Sequence, residues 1–223
     1  MENGRGAAPH WLDVAPERID GWLAEFAARH GETVTTTDAT RASVRVRAAD
    51  GSTAECHLPF PPLPAGATGT GAEMAAHGAA ERTVGVLLVR LGGYAAGVFT
   101  GAPPRLAASK VGSRLVHGRS AAGGQSQQRF ARRREKQARE ALVAAADCAA
   151  GVFGSYRGRL DAVVLGGDKR SIGALRVDPR LRPYFALAVD RFLTVPDPRL
   201  AVLQATPRQF RAVRIRLAGS VDN

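Results

Sequence analysis

Between Ser126 and Gly151 the chain has neither proline nor glycine, and no other stretch limits its fold as much. The two strongest helix breakers are missing across the run. It predicts a helix of about six or seven turns, longer than the usual three to four. Its halves differ in character. The first, through Arg139, is polar and cationic, and the second, Ala141 to Ala150, is nearly all apolar. Such a helix can pack its C-terminal half on a sheet and project its N-terminal half into a partner.

The positive charge is concentrated there. Formal net charge is +11, and ten basic residues between Arg105 and Arg139 meet a single acid, Glu135. That stretch of 35 residues therefore holds +9 and leaves +2 for the rest. Asymmetry of this size points to a directed face for nucleic acid or an anionic membrane surface. Arg129, Arg132, Arg133, Lys136 and Arg139 share a broad helical face, linked by steps of three (129–132, 133–136, 136–139) and four (129–133, 132–136). Arg119 and Arg134 add to the same cluster. With so few aromatics interleaved, the expected readout is the shape of RNA and its phosphates. Phe130 is placed either to stack on a base or to pack inside. The plainer alternative for the face is a solvated helix laced by pairs such as Glu135 with Arg139.

Directly before the helix stands Gly123-Gly124-Gln125. The glycines leave the backbone free to turn and its N–H groups uncovered, and glutamine is a neutral donor and acceptor. A loop at a helix N-terminus meets unpaired N–H groups and the positive end of the dipole. The tripeptide alone is common; a strand, this loop and a cationic helix in succession are not.

Elsewhere the pattern alternates. Residues 1–15 suggest a loose arm anchored by Trp11 and Leu12. Pro16 to His30 has helical spacing through Ile19, Trp22, Leu23 and Phe26. Thr33 to Val46 and Thr53 to Leu58 predict a β-hairpin turning at Ala48–Gly51. Pro59 to Gly78, rich in Pro, Gly and Ala, suggests a linker. Thr83 to Leu91 and Tyr94 to Thr100 form a second hairpin through Gly92-Gly93. Arg105 to Lys110 and Ser113 to Val116 suggest two more strands, and Gly118 to Gly124 breaks the pattern. Leu160 to Leu165 is a buried strand, and Asp168 caps a short helix to Leu175. Phe185 to Val189 and Leu200 to Gln204 fit either strand or helix. Thr206-Pro207 starts a last helix running to about Leu217. The fold class expected is α/β: a mixed sheet flanked by helices, with a small N-terminal helix–hairpin lobe. The expected limits are residues 1–62 for the lobe, 63–79 for the linker and 80–223 for the main domain.

Several chemistries are disfavoured. Cys56 and Cys148 are the only cysteines, too few for a disulfide scaffold and not in a CxxC pair, which suits a reducing cytoplasm. The five histidines are dispersed without HExxH, so no metal site is expected. Cys56 and His57 are neighbours in an alternating strand and point to opposite faces. Ser109 and Ser113 lack a G-x-S-x-G elbow. Gly166-Gly167-Asp168-Lys169 lacks the spacing of a phosphate loop and suggests a strand-to-helix turn, where Lys169 could meet RNA. The N-terminus has no apolar signal region, and the greasiest run, Val84 to Leu91, contains Arg90, so no membrane span is expected.

The segment HGRSAAGGQSQQRFARRREKQARE resembles the catalytic loop and helix of the middle domain of eukaryotic and archaeal class-1 peptide-chain release factors. It is closer still to the Vms-like release factor family in its actinobacterial form. The resemblance extends from about Ala80 to Leu217, through VGVLLVRLGGYAAGVF, LDAVVLGGDK and TPRQFRAV, and does not cover residues 1–62. It implies a release-factor catalytic fold and hydrolysis of the ester joining nascent peptide to tRNA. The setting would be the peptidyl-transferase centre of stalled large ribosomal subunits, independent of a codon because no decoding domain is visible. The implied partners are large-subunit rRNA and peptidyl-tRNA, with no cofactor, metal or membrane. Gly123 and Gly124 would present Gln125, whose N–H stabilises developing negative charge and whose side chain positions water. The pattern Gly-x-x-Gln of Vms-like proteins would instead select Gln127. The alternatives are a non-catalytic ribosome- or RNA-binding module and a tRNA nuclease, the latter disfavoured by the lack of an acid–base pair.

Overall fold

The computed structural model describes residues 10–90, 92–113 and 125–218; between 125 and 134 the side chains described are those of Arg132 and Arg133. The chain divides into two compact units, Met1–Ala80 with Arg208–Asn223, and Glu81–Pro207. The first unit opens with β1 (His10–Val14) and α1 (Ile19–His30), followed by β2 (Thr33–Thr37), β3 (Ser43–Ala48), β4 (Thr53–His57) and α2 (Gly71–Ala79). The second contains β5 (Val84–Arg90), β6 (Gly93–Thr100), β7 (Arg105–Ser113), α3 (Gln125–Gly154) and β8 (Ala162–Gly167). It continues through α4 (Lys169–Leu175), α5 (Arg182–Phe185), β9 (Ala188–Leu193) and α6 (Leu200–Ala205). Helix α7 (Pro207–Phe210) leads back to the first unit and its last strand, β10 (Val213–Ala218).

Alternation builds the first sheet. In β3 Val44, Val46 and Ala48 are buried while Arg45 and Arg47 are exposed; in β10 Val213 and Ile215 are buried while Arg214 and Arg216 are exposed. The five strands run in the order β1-β10-β4-β3-β2, all antiparallel. Their apolar face packs with Ile19 and Phe26 of α1 and Met74 of α2 into one core.

Three expectations are corrected here. The last helix does not reach Leu217: Thr206-Pro207 is followed by the single turn of α7, and then Val213, Ile215 and Leu217 alternate as a strand. The Thr206 hydroxyl donates to the Leu203 carbonyl at 2.7 Å, at the end of α6. The N-terminal arm is a strand at His10–Val14, because β10 supplies its pairing edge from His10↔Leu217 to Val14↔Val213. The expected linker at 63–79 contains α2, opened by a capping box in which Glu73 N donates to Thr70 Oγ1 and Thr70 N donates to the Glu73 carboxylate. The Thr70 N–H, with those of Thr68 and Gly69, outweighs desolvation and holds the Glu73 carboxyl down at about 2. The first unit is thus a five-stranded sheet with two helices, larger than a helix and hairpin, and it takes one of its inner strands, β10, from the chain's other end.

The second sheet is mixed, in the order β7-β6-β5-β8-β9. β5, β6 and β7 form an antiparallel meander, while β8 lies parallel to β5 and β9 parallel to β8. The two strands expected at Arg105–Lys110 and Ser113–Val116 are not separate where they are described: β7 is continuous from Arg105 to Ser113, and residues 114–116 lie outside the described residues. Gly112 is opposite Tyr94, and a Cβ there would sit 2.5 Å from the Tyr94 hydroxyl, so the glycine makes room for a ring. The two undecided segments contribute β9 and the short helices α5 and α6. At the end of β8 the strand-to-helix turn is as expected: Asp168 accepts from Arg170 N at 3.0 Å and Ser171 N at 3.3 Å. Among the described residues no helix is long and apolar enough to cross a membrane.

Candidate catalytic loop and nucleic-acid interface

Helix α3 spans 30 residues, about 45 Å at 1.5 Å per residue. It starts at Gln125, one residue before the expected Ser126, so the glutamine of the Gly-Gly-Gln sequence is its first helical residue. Arg119, Gly123 and Gly124 lie outside the described residues, as do the side chains of Gln125, Gln127, Arg129 and Arg134, whose backbone is helical. Two residues of helix turn the chain by about 200°. Positions 125 and 127 therefore fall on opposite sides of the helix axis.

From Arg132 to Glu140 the described side chains are exposed, apart from a half-buried Gln137. Arg132, Arg133, Lys136 and Arg139 lie on this exposed stretch. Arg139 pairs with Glu135 at 3.3 Å and Lys136 with Glu140 at 3.9 Å, both between exposed partners. Pairs of this kind contribute about 0.2–0.5 kcal/mol each. They are too weak to hold the cations away from a polyanion.

The change at Ala141 is abrupt. Ala141, Ala145, Ala146, Cys148, Ala149, Val152 and Phe153 are buried. Mostly small side chains let the helix lie close to the sheet, and the Cys148 thiol donates to the Lys110 carbonyl of β7 at 3.3 Å. The helix is a stalk, rooted over β5, β6 and β7, and among the described residues of its cationic half only Gln137 is half-buried.

One tie was not anticipated from the sequence. Arg180 donates from Nη1 to Asp147 of α3 at 2.8 Å and from Nη2 to Asp178 at 2.7 Å. The Asp178 carboxyl is held low, first by its bond from Arg180. The available signal was Asp147 itself, the lone acid in the apolar half of α3. An Arg180→Met variant should fold, with faster hydrogen exchange of the α3 amides around Asp147. The difference from the unmodified protein should shrink in high salt. Unchanged exchange would make the tie incidental.

The remaining sites stay unassembled. Cys56 is fully buried while His57 is half-exposed, and burial pushes the Cys56 thiol up to about 12. Lys169 places Nζ over the Phe192 ring at 5.6 Å. Among the described residues no three His, Cys, Asp or Glu side chains gather as a metal site.

Residues 82–216 match the family described as Actinobacteria/chloroflexi VLRF1 release factor. The match takes in nearly all of the second unit and most of β10, and leaves out residues 1–81. No curated protein matches the chain. Among solved structures, the crystal structure of the archaeal translation termination factor aRF1 is similar at 11% identity and a TM-score of 0.38, over 92% of this chain and 68% of that one. A second, described as an archaeal protein, is similar at 12% identity and a TM-score of 0.34, over 92% and 69%.

Proposed function

The chain belongs to the Actinobacteria/chloroflexi VLRF1 release-factor family, and on that premise we propose that it is a codon-independent peptidyl-tRNA hydrolase of stalled large ribosomal subunits. The observation that carries the reading is the build of α3. It begins at Gln125, its described side chains from Arg132 to Glu140 are net cationic and exposed apart from a half-buried Gln137, and from Ala141 onward one face is buried. A rigid rod of that form can carry a small loop into a narrow RNA-walled site while its root remains folded.

The chemistry asked of the loop is modest. Water attacks the carbonyl carbon of the ester, the bond from that carbon to the tRNA 3′ oxygen breaks, and the proton of water ends on that oxygen. The products are a free peptide carboxyl and an intact tRNA. Glutamine does not ionise, so its role is to orient water and to donate a hydrogen bond to developing negative charge. Gly123 and Gly124 permit the backbone to come close, with Gln125 or Gln127 as the acting residue. Arg129, Arg132, Arg133, Arg134, Lys136 and Arg139, with Arg119 before the loop, hold rRNA and tRNA phosphates. The proposed setting is the cytoplasm, with no cofactor.

Purified large subunits carrying labelled peptidyl-tRNA test the reading. Free peptide with intact tRNA is expected. Binding without release would favour a non-catalytic RNA-binding module, and cleaved tRNA a nuclease. In the same assay Arg132→Glu with Arg133→Glu should weaken subunit binding and leave the circular dichroism unchanged. The slope of log affinity against log salt should fall by about 2, one for each phosphate that is no longer neutralised.

A further inference from the structure

The first unit has a sheet face that neither of its helices covers. Its side chains follow from the strand register, because directly paired residues share a face. Trp11 of β1 pairs with Arg216 of β10, and Asp13 with Arg214. Arg214 and Arg216 pair in turn with His57 and Glu55 of β4. Across β3 the same face carries Arg45 and Arg47, and at its far edge Thr36 and Val34 of β2.

The charge on this face is sorted. The unit's sequence holds ten arginines and eleven acids, yet the face gathers four of those arginines with only Asp13 and Glu55. Arg216 donates from Nε to the Glu55 carboxylate at 3.0 Å, which absorbs one cation. Beside it, Trp11 is 39% exposed, with the Arg214 guanidinium 4.4 Å from its ring centre and the His57 ring at 5.3 Å. An indole and a guanidinium already stacked form a rigid planar platform, so little ordering is left to pay on binding.

We propose that this face is a second RNA-binding surface, which stacks an unpaired base on the Trp11–Arg214 pair and holds neighbouring phosphates with Arg45 and Arg47. From β1 to β3 is three strand spacings, about 14 Å. That is room for two or three nucleotides, as many as an aromatic-bearing four-stranded sheet commonly stacks. A protein partner fits less well, because among the described residues Trp11 and Val34 are the only large apolar side chains on the face and cannot form the dry centre of an interface. The family match begins at residue 82, after every strand of the face except β10. The proposal stands whether or not the chain is a hydrolase, and its test does not read peptide release.

The test uses the full chain with Arg129→Glu, Arg132→Glu, Arg133→Glu, Arg134→Glu, Lys136→Glu and Arg139→Glu to suppress binding by α3, and Trp22→Phe so that Trp11 is the only indole. An unpaired oligoribonucleotide of about eight residues, within the usual span of a single-strand site, is titrated while Trp11 fluorescence and RNA anisotropy are followed. Saturable quenching is expected. Trp11→Ala should raise Kd by about tenfold or more, and Trp11→Phe should recover part of it. Arg45→Gln with Arg47→Gln should lower the salt slope by about 0.7 for each phosphate released from the face. These side chains are exposed, so circular dichroism should not change. RNA binding without quenching, or equal affinity in Trp11→Ala, overturns the base-stacking site. Heparin binding as tightly and with the same quenching reduces the face to a general polyanion site and also overturns it. No RNA binding overturns it and leaves the face to a protein.

Discussion

Replacing Gln125 and Gln127 together by alanine lowers single-turnover peptide release by about 10²–10³-fold, the usual cost of losing a positioned donor at a developing oxyanion. Affinity for large subunits stays nearly unchanged, because the arginines carry it. The loss therefore appears in the rate at saturating enzyme, as for an interaction made in the transition state. The single variants should be unequal. Positions 125 and 127 lie about 200° apart around the axis of α3, so a helix seated in one orientation cannot bring both to the same ester. One single variant should reproduce nearly all of the double variant's loss while the other stays within a few-fold of the unmodified protein. Release undiminished in the double variant would remove the glutamine from the mechanism. Equal partial losses would mean that the first turn unwinds when the loop is seated.

How much of this could be read from sequence varies with the range of the forces involved. Helix α3, the β5–β6 hairpin and the Asp168 cap were legible because each is written locally, in a breaker-free run, a Gly-Gly turn and a side chain that accepts from its own next residues. β1 and β10 were not, because their pairing partners are far away in sequence: β1 pairs with β10, and β10 lies between β1 and β4. Their alternation was present, but Thr206-Pro207 is a true helix start and its signal overran the VRIRL pattern after it. Helix α2 was hidden by composition, although Thr70 and Glu73 stand at capping-box spacing. At the candidate site the sequence named the loop and the cations. It could not supply Arg180, which becomes Asp147's partner only once the chain between them has folded back.

Phe153→Ala tests the root of the stalk, and it should cost about 3–5 kcal/mol of stability in the second unit. The ring is 1% exposed and meets Tyr184 edge-on, with centroids 5.2 Å apart. Beneath it β5 has Gly85, where a Cβ would come within 3.1 Å of the Phe153 Cε1. The ring thus rests on bare strand backbone, and truncating it opens a void that neither the helix nor the parallel strands can close. Thermal denaturation should fall by roughly 10–15 °C. The close approach also makes a sign-changing prediction. Gly85→Ala alone should destabilise, since the ring has little room to give; in the Phe153→Ala background the new methyl enters the void and the same change should cost nothing or stabilise. Coupling of about 0.5–3 kcal/mol between the two sites is expected from such a cycle, and strict additivity would mean that ring and glycine do not touch. Below its lowered transition the variant should still bind RNA through Arg132, Arg133, Lys136 and Arg139, which lie far up the same helix. Peptide release should fall more steeply with temperature than binding does, because placing a loop at an ester demands a fixed root while holding phosphates does not.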